Sequence, residues 1–171
     1  FGIPATRPET GYGYIRKGQP LAGLKDCWHV DRFVEKPDPA TAEAYVASGD
    51  YAWNSGMFVL PVRTYLGEVE RLQPELLRCC SDALRKASRD LDFLRLARAS
   101  FVAAPSISID YAVMEHTDKA VVVAADIGWS DVGSWSALWE ISDKDSQGNA
   151  VIGDVLVQDA HNCYVRGDGN L

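Results

Sequence analysis

The residues Tyr12 to Arg16 and Cys27 to Val34 read as two strands, joined by a Gly- and Pro-containing turn around Gly18 to Gly23. Asp38-Pro39 then predicts a helix start, because Asp can cap free N–H groups and Pro fits the first helical position. Ala42, Tyr45 and Val46 give that helix one apolar face, and Gly49 supplies its stop. Met57 to Leu60 reads as a short apolar strand, followed by Pro61 opening a helix through Leu72. From Pro74, the residues Leu76, Leu77, Cys80, Leu84 and Ala87 recur at helical spacing, with Arg78, Asp82, Arg85 and Lys86 on a solvated opposite side. A further helix is expected over Leu91 to Ala99, and Ser108 can cap another running to about Thr117. Ala120 to Ala125 is a continuous apolar run without alternation, the pattern of a strand covered on both faces. Gly128 to Gly133 reads as a loop, Ser134 as the cap of a short helix through Ile141, and Gln147-Gly148-Asn149 as a turn. Val151 to Val165 reads as short strands with turns at Gly153 and at His161-Asn162. Mixed strands and helices of this kind predict α/β, or α+β for this piece.

Composition narrows the function classes. The chain has 171 residues, 47% hydrophobic and 24% charged, ordinary values for one globular domain or a large piece of one. Its net charge of -7, from 17 Lys+Arg against 24 Asp+Glu, disfavours non-specific nucleic-acid binding, which needs a basic face. An acidic chain can still serve one anionic ligand through a local Lys and backbone N–H groups. The longest apolar run is too short to cross a bilayer and no signal peptide opens the chain, so no membrane role and a cytoplasmic location are expected. Cys27, Cys79, Cys80 and Cys163 lack CxxC spacing and read as reduced, small apolar residues. His29, His116 and His161 are scattered, so no metal site built on His or Cys is readable. Phe1-Gly2-Ile3 reads as the exit of a strand and Asp168-Gly169-Asn170-Leu171 as a turn cut before its next strand, the pattern of an excised segment.

Four segments carry polar residues where a core would not want them. In TGYGYI, Thr10 to Ile15, Gly11 and Gly13 let the backbone approach a ligand; alone, the segment reads equally as a tight turn or bulge. In FVEKP, Phe33 to Pro37, Glu35 and Lys36 end an apolar strand, where α/β folds place ligand-binding groups. A carboxylate there can accept from sugar hydroxyls and an ammonium can pair with phosphate, although two charges at a strand end are also ordinary surface. In WNSGMF, Trp53 to Phe58, Asn54 can donate and accept at once, which suits vicinal hydroxyls, or can simply cap a turn. In GWSDVGSW, Gly128 to Trp135, Asp131 lies on a Gly-flanked loop between a strand and a helix. That position suits a Mg²⁺ ligand, because Mg²⁺ takes one or two protein carboxylates plus phosphates and water, and it equally suits a turn residue.

In order, FGIPATRPETGYGYI, FVEKP, WNSGMF, SIDYAVME (Ser108 to Glu115) and GWSDVGSW resemble the mannose-1-phosphate guanylyltransferase family, through nearly the whole chain. The likeness is to bacterial enzymes that often carry a fused mannose-6-phosphate isomerase domain. The resemblance implies a Rossmann-like nucleotidyltransferase fold, here partial: a mixed sheet flanked by helices, with a short β tail. Residues 1–150 would form the sugar-phosphate-binding half and residues 151–171 the start of a β-rich, β-helix-like segment that often mediates oligomer contacts, so a homo-oligomeric parent is implied. The implied reaction joins mannose 1-phosphate and GTP to give GDP-mannose and pyrophosphate, with Mg²⁺. Carried over by motif, Asp131 matches the metal-binding aspartate, Glu35 the reader of mannose hydroxyls, and Lys36 the contact to the sugar-linked phosphate. Gly13 matches a backbone contact to the sugar and Asn54 a further sugar contact; Asp110 lies in a characteristic motif without an assigned role.

Two departures stand out. The family motif usually continues with Lys after SIDYAVME, whereas this chain has His116, which would make ligand affinity weaker or pH-dependent. The family's N-terminal Gly-rich loop with its Arg and Lys, its other metal-binding aspartate and the isomerase domain lie outside these 171 residues, so the segment alone is expected to be inactive. Two alternatives remain: a nucleotidyltransferase for another hexose 1-phosphate, such as glucose 1-phosphate, and a non-catalytic sugar-nucleotide-binding regulatory subunit. A structural α/β fragment without ligand affinity is the blandest reading.

Overall fold

In a computed structural model that describes residues 1–169, the chain divides into two compact units, Phe1–Ile127 and the residues from Gly128 onward. The final turn expected at 168–171 lies partly outside the described residues.

The first unit is organised by five strands: β1 (Gly2–Pro4), β2 (Gly13–Pro20), β3 (Cys27–Glu35), β4 (Tyr51–Asn54) and β7 (Val121–Val123), in the order β1-β4-β2-β3-β7. Every ladder in this sheet is antiparallel. A parallel bridge between Gly2 and Ala124 then links the chain beyond β7 back to β1, so the sheet curls towards closure. β2 runs further than the turn expected at Gly18, carrying register shifts between Arg16 and Lys17 and between Lys17 and Pro20 before the chain turns. Such bulges let Gly18 and Pro20 remain in a strand that regular pairing would not tolerate.

Local chemistry fixes α1 (Pro39–Ser48) at both ends. Asp38 Oδ1 accepts from the Thr41 N–H at 3.0 Å and Oδ2 from the Thr41 hydroxyl at 2.7 Å. Gly49 leaves the helix at φ 71°, the left-handed region where glycine carries no Cβ penalty. α2 (Val62–Leu72) and α3 (Pro74–Arg85) lie where helices are expected, each with a one-sided apolar face. The residues that α3 buries, however, are Cys79 and Ala83, while Cys80 and Leu84, expected on that face, are exposed. Val69, Ala112 and Val113 form one buried cluster against Tyr65, Leu72, Leu76 and Leu77; Ile15, Phe33 and Val122 form another under the sheet. Met114 packs against both clusters and so ties helices to sheet.

Four expectations are corrected. The strand expected over 57–60 is irregular backbone, and pairing ends at Asn54; Val59 is 82% exposed, so apolar residues there mark neither a core nor a ladder. The helix expected over 91–99 is a hairpin of β5 (Ser88–Asp90) and β6 (Phe93–Arg95), followed by α4 (Arg98–Val102). Leu91 turns that hairpin at φ 52°, and Leu91, Phe93 and Leu94 point outward, so their spacing carried no burial information. The helix expected from Ser108 to Thr117 is a single wide π-helical turn, Asp110–Met114. Finally, β7 is a short strand at one end of the sheet order, with Val122 buried and Val121 half-exposed, not a strand covered on both faces.

In the second unit, Ser134 caps α5 (Trp135–Ile141) by accepting from the Ala137 N–H at 3.1 Å. β8 (Ala150–Ile152) and β9 (Tyr164–Arg166) pair in parallel. Buried Asn149 donates to Asp145 and to the Ala160 carbonyl and accepts from the Cys163 N–H, so its amide is satisfied at both ends.

Candidate functional site

Sheet register builds the candidate site. Gly13 lies opposite Glu35 in the β2–β3 ladder, and the β2–β4 ladder sets Tyr14 opposite Trp53, which brings Asn54 to the other side of Gly13. Neighbours directly across antiparallel strands share a face, so Glu35, Gly13 and Asn54 form one row. The row is tight: a Cβ added at Gly13 would sit 2.5 Å from Glu35 Oε2 and 3.1 Å from Asn54 Cβ. Glycine is therefore required here for space, its φ being unexceptional.

The Glu35 side chain is 8% exposed while that of its partner Lys36 is 57% exposed. Lys36 Nζ donates to Glu35 Oε1 at 2.6 Å, and Glu35 Oε2 is buried with no hydrogen-bond partner among the described residues. A buried carboxylate oxygen without a donor is costly, and it is satisfied by a ligand hydroxyl or a water. Lys36 adopts φ 48°, a left-handed conformation that an ordinary side chain rarely takes, and its N–H donates to the Tyr12 carbonyl at 3.2 Å. Strain of this kind collects at functional positions. The Glu35 carboxylate, by hydrogen bond and then by charge, raises the Lys36 ammonium above its ordinary value, with lesser contributions from Tyr111 and Asp110. Lys36 is thus a permanent cation at neutral pH, and only one of its three N–H bonds is engaged by Glu35.

Asn54 closes the row. Its Oδ1 accepts from the Gly56 N–H at 3.1 Å, and its Nδ2 donates to Asp110 Oδ1 at 3.1 Å. The wide turn that carries Asp110 also delivers Glu115, whose Oε1 accepts from the Glu35 backbone N–H at 3.0 Å. Of the sequence-nominated residues, the structure thus brings Gly13, Glu35, Lys36 and Asn54 together and adds Asp110 beside them. Sequence reasoning missed Glu115: it lies 80 residues from Glu35, and no local pattern links the two. His116 is exposed at the end of the same turn.

Asp131 belongs to the second unit. It is exposed on the loop before α5, its carbonyl accepting from the Gly133 N–H at 2.8 Å, and its carboxylate faces Gly133. Among the described residues, no group of three or more His, Cys, Asp and Glu gathers into a metal cage. A lone accessible carboxylate fits a cation that draws its remaining ligands from phosphate, water or a further carboxylate.

A separate cleft of about 450 Å³, lined by Met57, Leu60, Tyr65, Met114 and Val121 among others, is mainly apolar. It contains none of the nominated site residues, and hydroxyl and phosphate recognition is better served by the polar row at Gly13. Among the described residues, no helix is long and apolar enough to cross a membrane.

The sequence profile of the nucleotidyl transferase family matches residues 1–148. A mannose-1-phosphate guanylyltransferase of Salmonella montevideo is 54% identical over 175 residues, covering 100% of this chain and 37% of the relative. Alginate biosynthesis protein AlgA of Pseudomonas aeruginosa is 48% identical over 171 residues, covering 100% of this chain and 36% of its own length. A crystal structure from Thermus thermophilus, described as a mannose-1-phosphate geranyltransferase, superposes with a TM-score of 0.79 at 34% identity, covering 98% of this chain and 47% of that one. The chain thus spans little more than a third of the length of the curated relatives it matches.

Proposed function

The chain belongs to the nucleotidyl transferase family, with its α/β fold of a curled, largely antiparallel sheet flanked by helices, and from that premise we propose that it is the sugar-phosphate half of an enzyme making GDP-mannose. The reaction is transfer of GMP from GTP to mannose 1-phosphate. An oxygen of the sugar phosphate bonds to the α-phosphorus of GTP, the bond from that phosphorus to the bridging oxygen breaks, and pyrophosphate leaves. The names of the relatives, mannose-1-phosphate guanylyltransferases at about half identity along the whole chain, favour mannose and guanine over other hexoses and bases.

The observation that carries this reading is the buried, unpartnered Glu35 Oε2 in a row whose centre is a glycine and whose edge is a strained, charged Lys36. Glu35 accepts from sugar hydroxyls. Lys36 uses its free N–H bonds to hold the sugar-linked phosphate and to neutralise charge as that phosphate attacks. Gly13 lets the sugar approach the main chain, and Asn54 offers a further amide contact. Little covalent chemistry is asked of the protein; positioning and charge neutralisation do most of the catalysis in phosphoryl-type transfer.

Nucleotidyl transferases of this family generally use a divalent metal. We assign Mg²⁺ to this one, with Asp131 as one ligand, where the ion would neutralise charge on the transferring phosphates. We place the boundary between the sugar-phosphate half and the β-rich tail near residue 150, close to where the family match ends at 148, although the compact units divide earlier, between Ile127 and Gly128. The proposed setting is cytoplasmic, and the 171-residue segment alone is expected to be inactive.

Pyrophosphate release by the full-length protein, supplied with GTP and either mannose 1-phosphate or glucose 1-phosphate, tests the reading. Strong preference for mannose 1-phosphate is expected. Equal or better turnover of glucose 1-phosphate would favour the other-hexose alternative, and absence of turnover a regulatory subunit.

A further inference from the structure

We propose that Asp110 is a positioning residue, which fixes the Asn54 side-chain amide so that its nitrogen, and not its oxygen, is presented to the sugar. This rests on the assignment of the Gly13 row to a sugar phosphate.

Donor and acceptor roles set the orientation of the amide. A carboxylate at neutral pH can only accept, so the amide end facing Asp110 must be Nδ2, at 3.1 Å. A backbone N–H can only donate, so the end facing Gly56 must be Oδ1, also at 3.1 Å. Both neighbours impose the same orientation, which removes the ambiguity that Asn amides otherwise carry. Oδ1 is committed to the main chain and Nδ2 uses one of its two N–H bonds on Asp110. The second N–H is then available, and Nδ2 lies 3.5 Å from the point where a Gly13 Cβ would sit, the same point that Glu35 Oε2 approaches to 2.5 Å, so donor and acceptor converge over Gly13. Asn54 is therefore a donor complementing Glu35, the acceptor on the other side of Gly13. A ligand in the row meets an acceptor and a donor in fixed order, which is a specificity device for oriented hydroxyls.

The element that holds Asp110 supports the same role. Asp110 and Glu115 stand at the two ends of the π-helical turn, and their carboxylates reach Asn54 at the end of β4 and the Glu35 N–H at the end of β3. π-helical turns are uncommon and frequently occur at functional sites. The adjacent residues Ala112 and Val113 are buried, which anchors the turn in the core. Among the described residues, the hydrogen bond that the Asp110 carboxylate accepts comes from Asn54, so it serves the site and not the helix.

Steady-state kinetics on the full-length protein tests this with Asp110→Ala, Asp110→Asn and Lys36→Ala, each checked by thermal melting. Asp110→Ala is expected to raise KM for mannose 1-phosphate about tenfold, the worth of one charge-assisted hydrogen bond, with KM for GTP unchanged. Asp110→Asn keeps an acceptor oxygen at the same place and should recover most of the loss. Unchanged KM for the sugar phosphate in Asp110→Ala, equal rises for both substrates, or an Asp110→Asn variant as impaired as the alanine would each overturn the proposal. Lys36→Ala separates this from the parent reading. If it impairs mannose 1-phosphate while Asp110→Ala does not, the site stands and the role of Asp110 falls. If Lys36→Ala is also without effect, the assignment of the row to a sugar phosphate fails, and the role of Asp110 falls with it.

Discussion

Gly13→Ala probes the row with the smallest possible change. The added Cβ would stand 2.5 Å from Glu35 Oε2, whereas ordinary contact begins at 3.4 Å, so the carboxylate must withdraw by about 0.9 Å. The clash at Asn54 Cβ, 3.1 Å, asks for only a few tenths of an ångström. The atom that must yield most is the tip of a flexible side chain, and Gly13 is not in the left-handed region, so no backbone strain is added. The stability cost is accordingly at the low end of overpacking, about 1 kcal/mol, or about 2–4 °C in Tm. The functional cost is larger, because a misplacement of about 1 Å in a positioning group lowers turnover on the order of 10²-fold. Gly13→Ala is thus predicted to melt within a few degrees of the parent, while kcat/KM for mannose 1-phosphate falls on the order of 10²-fold and KM for GTP is unaltered. Differential scanning calorimetry and a pyrophosphate-release assay give both readouts. A variant with full activity would refute the tight Gly13–Glu35 geometry, and one that unfolds in proportion to its activity loss would show the glycine to be merely structural.

Two further outcomes follow from single residues. Lys36→Gly and Lys36→Ala both remove the ammonium and leave the buried Glu35 carboxylate without its donor, but only glycine relieves the φ of 48°. Lys36→Gly should therefore melt above Lys36→Ala while both lose sugar-phosphate binding; a Tm for the glycine variant at or below that of the alanine variant would contradict the strain. Glu68, buried on α2, is held at about 2, below its ordinary 4.5, first by a hydrogen bond from Arg71 and then by one from Lys119 at 2.5 Å. A depressed folded-state value stabilises above the unfolded one, so this contribution is complete above pH 4.5 and fades as pH falls towards 2. Unfolding curves of parent and Glu68→Gln should therefore differ at pH 6 and converge near pH 2; a constant gap would refute the linkage.

The sequence exposed those parts of the site that chain-local chemistry defines. Glu35 and Lys36 end an apolar strand and precede Pro37, and Asp38-Pro39 with Gly49 bracket α1, features a reader can find without a structure. The Asn54 end was less clear, because the apolar residues 57–60 resemble a strand although the pairing residues are Tyr51–Asn54. Those apolar side chains line a cleft or face solvent, and hydrophobicity alone cannot separate such a segment from a core strand. The hairpin over 88–95 was hidden for the same reason, its leucines having helical spacing but outward orientation. Contacts from the wide turn to Asn54 and Glu35 bridge 56 and 80 residues. Such pairings depend on the curl of the sheet and on where Ala112 and Val113 anchor in the core, and nothing in the local pattern encodes them.

The central claim, that the Gly13 row receives a sugar phosphate, is tested most directly by titrating the full-length protein with mannose 1-phosphate in a calorimeter, beside Lys36→Ala and Glu35→Gln. Saturable binding by the parent is predicted, weakened by loss of either side chain and preferred over glucose 1-phosphate. Unchanged affinity in both variants would contradict it.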